Sequence, residues 1–281
     1  MEETEGKFLI ADSLSHILFQ IKANKTNDLR IVGACTQMAD MNCTAVSTRN
    51  IQELKNIEKR ERYIDFGPAV TLGQMSAMGR NNIPSVLYDA IQSTATGPIR
   101  NIATLAGNIC REGQKGTLFA PLLALDTKLE VKLLPLDTKH AAKNPTYTKS
   151  IPLSKLAQIP QPFVLSKIRV PLNDWGISIF TRLGPEGKPT PLNASFVFLV
   201  DTENDLLVNM KVAFTGPLVF HSRELENKLI GSKLPLSDKA IGDFLATAES
   251  LSKEEFEESK AAPILKEQFL SLLDYHLQQL S

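Results

Sequence analysis

The chain has 281 residues, with 31 basic and 31 acidic side chains, 43% apolar residues and 22% charged ones. That is enough for roughly one to two domains with a real core, and it excludes disorder, collagen-like repeats and a small disulfide scaffold. A formal charge of zero also removes the basic footprint that nucleic acid or an anionic membrane surface requires, so neither is expected as a partner.

The start, Met1-Glu2-Glu3-Thr4-Glu5, is acidic where a secretory signal would be basic. Apolar runs such as 118–125 and 194–200 fall far short of the roughly 20 residues that span a bilayer. A cytoplasmic protein is expected. Asp12 suits an N-cap, and Leu14, Ile17, Leu18 and Ile21 recur at helical spacing, which predicts an amphipathic helix over 13–23. Leu29 to Val32 reads as a short strand running into the small residues Gly33-Ala34-Cys35-Thr36. Residues 63–67 suit a further strand, and Thr71 with Gln74 suits a capping box at a helix start. A helix is expected over 84–94, followed by a breaker at Gly97-Pro98, a helix over 118–125 and a strand over 128–134.

Between His140 and Pro162 the composition shifts to Lys, Pro, Ser and Thr, and Val164 to Val170 forms a strand closed by Pro171. A domain boundary is expected at 171–174. Beyond it, 177–183, 195–201 and 207–215 read as antiparallel strands and 222–281 as helices, a small α+β domain.

Chemistry is sparse. Cys35, Cys43 and Cys110 form an odd, scattered set, so neither a disulfide framework nor a zinc or iron–sulfur site follows from this chain. His16, His140, His221 and His276 are far apart, and no Gly-x-Ser-x-Gly elbow accompanies them. Neither a Gly-x-Gly-x-x-Gly loop nor a P-loop is present. No catalytic or metal-ligating residue is assigned. What remains is a pair of small-residue segments, Gly33 to Met38 and Ala103 to Asn108. Small side chains let backbone amides approach phosphate oxygens, and Thr104 and Asn108 add uncharged donors. Residue type alone suits two ordinary tight turns as well as two halves of a diphosphate cradle.

The segment Ile99-Arg100-Asn101-x-Ala103-Thr104-x-Ala106-Gly107-Asn108-Ile109 resembles the Ile-Arg-Asn-x-Ala-Thr-x-Gly-Gly-Asn-Ile signature of the FAD-binding (medium) subunit of the xanthine dehydrogenase and carbon monoxide dehydrogenase family. Gly33-Ala34-Cys35-Thr36 is similar to that family's first FAD loop, Ala-Gly-Gly-Thr. Residues 121–126 and 168–171 resemble the helix and strand that complete its FAD domain, and 213–217 with 223–231 resemble its C-terminal domain.

The resemblance implies an α+β protein: a two-part FAD-binding domain of the vanillyl-alcohol-oxidase/PCMH type over 1–172, and a smaller C-terminal domain of antiparallel sheet plus helices over 173–281. It implies FAD held by Gly33, Ala34, Cys35, Thr36, Gln37 and Met38 in one loop and by Thr104, Ala106, Gly107 and Asn108 in the other. Thr117 is implied to lie near the flavin, at a position where the family often has Asp, and Leu165 and Arg182 to flank it. The implied function is an oxidoreductase subunit that passes electrons from partner iron–sulfur clusters through FAD to NAD or another acceptor, beside a molybdopterin-binding large subunit and an iron–sulfur small subunit. A stand-alone flavin oxidoreductase is one alternative; a structural subunit without its cofactor is another, because Ala34, Cys35 and Ala106 stand where the family has glycine and Thr117 where it often has Asp. If a positive φ is needed there, a Cβ costs roughly 1 kcal/mol.

Overall fold

The computed structural model describes residues 7–23, 29–36, 43–133, 147–159, 163–185, 190–257 and 262–281. It divides into two compact units. The first is Met1–Met78, Thr96–Cys110 and Asp126–Leu172; the second is Gly79–Ala95, Arg111–Leu125 and Asn173–Ser281.

The first unit contains two sheets. Strands β1 (Phe8–Ile10), β2 (Leu29–Val32) and β3 (Thr44–Ser47) make a parallel sheet in the order β1-β3-β2. Helix α1 (Leu14–Ala23) buries Leu14, Ile17 and Ile21, one stripe at the 3.6-residue period, in a cluster with Val46, Ile51 and Leu54. Its cap is Ser13 and not Asp12: the Ser13 hydroxyl accepts the His16 amide at 3.1 Å. The second sheet is antiparallel, with β4 (Ile57–Lys59), β5 (Tyr63–Phe66), β6 (Lys128–Leu133), β7 (Tyr147–Pro152) and β8 (Phe163–Pro171) in the order β4-β5-β8-β6-β7.

Strand β7 lies inside the polar stretch that composition marks as a break. As an edge strand it buries only Ile151 of its six residues, so no apolar alternation was available to announce it. Strand β8 carries a bulge at Ser166, which has no partner between the pairs Lys167–Glu130 and Leu165–Val131. The Ser166 hydroxyl donates to the Glu130 carbonyl at 3.0 Å. Beyond the bulge, Val164 and Leu165 are both buried. Asp65 ties β5 to β8 by accepting from Arg169 Nε at 2.7 Å and Nη2 at 2.8 Å. Burial works against its charge, yet the Arg169 and Lys167 contacts outweigh burial and hold its carboxyl below the ordinary value.

The second unit is built on an antiparallel sheet, β12-β11-β10-β9, of β9 (Ile177–Leu183), β10 (Ala194–Glu203), β11 (Leu206–Thr215) and β12 (Val219–Phe220). The β10–β11 hairpin turns at Asn204 and Asp205, with φ of 51° and 59°. Two consecutive left-handed residues match the twist of a two-residue hairpin, and Asn and Asp tolerate that region best among residues with a Cβ. Phe196, Phe198 and Val200 pack with Phe244, Phe256 and Phe269 of the C-terminal helices (Asp238–Leu251, Lys253–Glu257, Ala262–Gln278). Val197 and Leu199, on the other face of β10, are also buried, and the helix Phe119–Ala124 lies against β10 and β11. All six residues of that helix are buried, which its uninterrupted apolar sequence requires.

His276 lies in this core, stacked on Phe196 and Phe198 with ring centroids 5.9 and 5.8 Å away. Its buried Nδ1 meets no hydrogen-bond partner among the described residues. Burial lowers its pKa, opposed in part by a hydrogen bond with Gln279. The folded state thus favours the neutral ring, while the unfolded chain takes up a proton near pH 6.5. The stabilisation from a neutral ring is complete above that pH and is lost progressively as pH falls below about 6.5 and through the lower folded-state value. Denaturation midpoints measured from pH 8 to pH 5 are expected to fall more steeply for the wild type than for His276→Leu. Parallel profiles would refute this origin of the pH dependence.

Candidate functional site

The first small-residue turn leaves the end of β2. The Thr48 amide donates to the Val32 carbonyl at 2.9 Å and the Ser47 hydroxyl to the Gly33 carbonyl at 3.3 Å, which fixes the turn against the end of β3. Among the described residues, the amides of Ala34, Cys35 and Thr36 meet no acceptor. Cys35 has φ of 55°, in the left-handed region; Ala34 and Ala106 do not share it.

The second turn is held by the chain that follows β5. Thr71 and Thr104 form an antiparallel bridge. Around it, the Leu72 amide donates to the Ala103 carbonyl at 2.9 Å, Leu105 to Val70 at 2.9 Å and Ala106 to Pro68 at 3.1 Å. The capping box predicted at Thr71 is present: its hydroxyl accepts the Gln74 amide at 3.1 Å and the Gln74 carbonyl Oε1 accepts the Thr71 amide at 2.9 Å. Thr104 caps the helix Leu105–Ile109 by accepting the Gly107 amide at 3.1 Å. Gly97-Pro98, expected as a breaker, instead opens the short helix Gly97–Arg100, since proline's fixed φ and missing donor suit the first helical turn.

The two turns meet. A Cβ added to Gly33 would lie 2.7 Å from Thr104 Oγ1 and 3.0 Å from its Cγ2, so only glycine permits this approach. Beside them opens a cleft of about 480 Å³ lined by Gly33, Ala34, Thr48, Arg49, Lys55, Thr71, Gly73, Gln74, Asn101 and Thr104, among others. The lining residues include two cations and no carboxylate. The Thr71 and Thr104 hydroxyls already accept backbone amides, which leaves their protons to donate elsewhere. The cleft is therefore rich in donors and positive charge, a chemistry suited to phosphate.

The predicted residues divide as follows. Gly33, Ala34 and Thr104 line the cleft, and Cys35 and Thr36 continue its first turn. Gln37 and Met38 lie outside the described residues. Ala106 and Gly107 sit in the short helix behind Thr104, and Asn108 there is only 6% exposed. Leu165 is buried in β8 of the same unit, whereas Thr117 and Arg182 belong to the second unit, where Arg182 Nη2 donates to the Pro185 carbonyl at 3.1 Å. Sequence reasoning missed Arg49, Lys55, Gly73, Gln74 and Asn101 as lining residues. The capping box covered Gly73 and Gln74 and the Ile-Arg-Asn segment contained Asn101, whereas Arg49 and Lys55 gave no local signal because they join the site through the packing of β3 and the chain after it.

The left-handed Cys35 supports a direct test. Moving a residue with a Cβ out of that region relieves about 1–2 kcal/mol, against about 0.4–1 kcal/mol of extra unfolded-state freedom for glycine. Cys35→Gly is expected to raise stability by a net amount of up to about 1.6 kcal/mol, read from the denaturation midpoint. A loss of stability would contradict the strain.

Backbone amides at one turn, hydroxyls at the other and two cations in the lining are the kinds of group that bind phosphate. The chain belongs to the family described as the FAD binding domain in molybdopterin dehydrogenase, whose model matches residues 5–173, and FAD is the cofactor of that family. Three solved structures are similar over nearly their whole length. A chain of CO dehydrogenase from Hydrogenophaga pseudoflava has a TM-score of 0.76 at 13% identity, covering 100% of this chain and 97% of that one. A chain of the reconstituted CO dehydrogenase from Oligotropha carboxidovorans has a TM-score of 0.74 at 14% identity, with coverage of 100% and 97%. A chain of quinoline 2-oxidoreductase from Pseudomonas putida 86 has a TM-score of 0.70 at 13% identity, with coverage of 99% and 100%. At these identities the likeness is one of fold, α+β throughout. A search of curated protein sequences found no match. Among the described residues, no helix is long and apolar enough to cross a membrane, and no group of three or more His, Cys, Asp or Glu side chains could hold a metal ion.

Proposed function

We propose that this chain is the FAD-carrying subunit of a cytoplasmic molybdenum hydroxylase of the xanthine dehydrogenase type. In this reading it works with a molybdopterin-binding large subunit and an iron–sulfur small subunit and delivers electrons to NAD or another acceptor. The observation that carries the proposal is the convergence of Gly33 and Thr104 on one cationic, carboxylate-free cleft. The residues present fit a diphosphate: amides of Ala34, Cys35 and Thr36 without acceptors among the described residues, and threonine hydroxyls with protons to donate. These groups would hold the cofactor's diphosphate.

Bound FAD supplies the conversion between single-electron and paired-electron transfer. The chain's own task is to bind and orient the cofactor and to tune it through nearby hydrogen bonds and charge. The family resemblance adds Ala106, Gly107 and Asn108 to the second half of the cradle and Thr117, Leu165 and Arg182 as residues around the flavin. CO dehydrogenase and quinoline 2-oxidoreductase, whose chains share this fold, support placing it in an oxidoreductase complex.

The test is the colour and the turnover of purified protein. A flavin absorption band, with acceptor reduction only after partner subunits are added, is the expected result. Turnover by the chain alone would favour a stand-alone oxidoreductase. Colourless protein that takes up no added FAD would favour a structural subunit.

A further inference from the structure

The cleft carries two side-chain cations with no counter-charge among the described residues. Arg49, just beyond β3, is exposed, and Lys55, the last residue of the 3-10 helix Gln52–Lys55, is half-buried. Both line the cleft, and among the described residues neither meets a carboxylate. The acidic side chain nearest to them in sequence is already engaged: Glu53 Oε1 accepts the Leu14 amide at 3.1 Å. Ala34, which also lines the cleft, carries a methyl group where a glycine would let the backbone come closer. An amide hydrogen bond is lost beyond about 3.5 Å, but attraction between charges falls only with the inverse of distance. Each phosphate of a dinucleotide diphosphate carries one negative charge at neutral pH, so the two cations match it in number.

We infer that Arg49 and Lys55 are the charge partners of the FAD diphosphate in this chain, supplying attraction that a bare glycine backbone would otherwise provide at shorter range. The inference rests on the flavoprotein reading above and adds to it two residues that neither turn contains. It also makes cofactor affinity sensitive to salt, since one cation is exposed and the other only half-buried.

The experiment titrates the full apo chain with FAD, with ADP and with riboflavin, which lacks both phosphates, at low and high ionic strength. Arg49→Gln and Lys55→Gln are each expected to weaken FAD about fivefold, the range of an exposed ion pair, and the double variant more than about tenfold. ADP should follow FAD, riboflavin should bind the variants as it binds the wild type, and the salt dependence of FAD binding should flatten in the double variant. Arg49→Lys, which keeps the charge, should stay near wild type. Variants that bind FAD like the wild type, or that lose riboflavin in parallel with FAD, overturn the inference and leave the flavoprotein reading standing. A wild type that binds neither FAD nor ADP overturns both.

Discussion

Gly33→Ala is expected to weaken FAD binding by about tenfold or more, the loss of at least one buried or charge-assisted hydrogen bond, and to destabilise the protein by about 1–3 kcal/mol, the usual cost of forcing atoms into a filled space. The backbone at Gly33 is not in the left-handed region, so the whole effect comes from contact: the new Cβ would stand 2.7 Å from Thr104 Oγ1. Thr104 cannot yield freely. Its hydroxyl caps the helix Leu105–Ile109 through the Gly107 amide at 3.1 Å, and its backbone bridges Thr71. Either the cap breaks, costing about 1 kcal/mol, or the two turns separate and no longer face one ligand. Thr104→Ala removes both clashing atoms. The double variant Gly33→Ala with Thr104→Ala should therefore be no less stable than Thr104→Ala alone, a non-additivity that independent sites would not show. Flavin fluorescence titration and thermal unfolding read the two effects. Simple additivity would mean that the turns do not touch as described.

Phe269→Ala is expected to cost about 3–5 kcal/mol, the range for truncating a buried aromatic residue. Phe269 is fully buried, and its ring lies 5.0 Å from Phe220, 5.3 Å from Phe214, 5.8 Å from Phe256 and 6.3 Å from Phe196. Those neighbours come from β10, β11, β12 and the helix Lys253–Glu257, so the cavity would open where sheet and helices meet and could not be closed by one side chain moving. Hydrogen exchange across Ala194–Thr215 should accelerate along with the fall in denaturation midpoint. A loss below about 1 kcal/mol would show that the ring cluster relaxes and is not the centre of the unit.

Elements with a strong period or a local cap were legible in the amino-acid sequence. Helix α1, the Thr71–Gln74 capping box, β6, β8 and the three long strands of the second unit all occur within a residue or two of their expected ends. Strands β1 and β4, of three residues, were too short for a pattern to emerge, and β3 (Thr44–Ser47) begins and ends on a polar residue, unlike the apolar ends of β2. Strand β7 was hidden because an edge strand needs almost no apolar residues. The assignment of Gly79–Ala95 and Arg111–Leu125 to the second unit has no local signature, since it depends on which surface each helix covers.

At the site, residue type alone already marked Gly33–Thr36 and the Thr104 turn as places where backbone can approach an anion, because small side chains and a capping threonine are local properties. Whether the two turns face each other was decided by tertiary structure: the Thr71–Thr104 bridge and the parallel sheet bring together segments about 70 residues apart along the chain. The same is true of Arg49 and Lys55, ordinary surface cations by sequence, which become a charge pair at a cleft only because β3 ends beside the first turn. Local chemistry is written in neighbouring residues. Convergence is a property of the packed fold, in which a missing Cβ at Gly33 matters only because Thr104 lies opposite it.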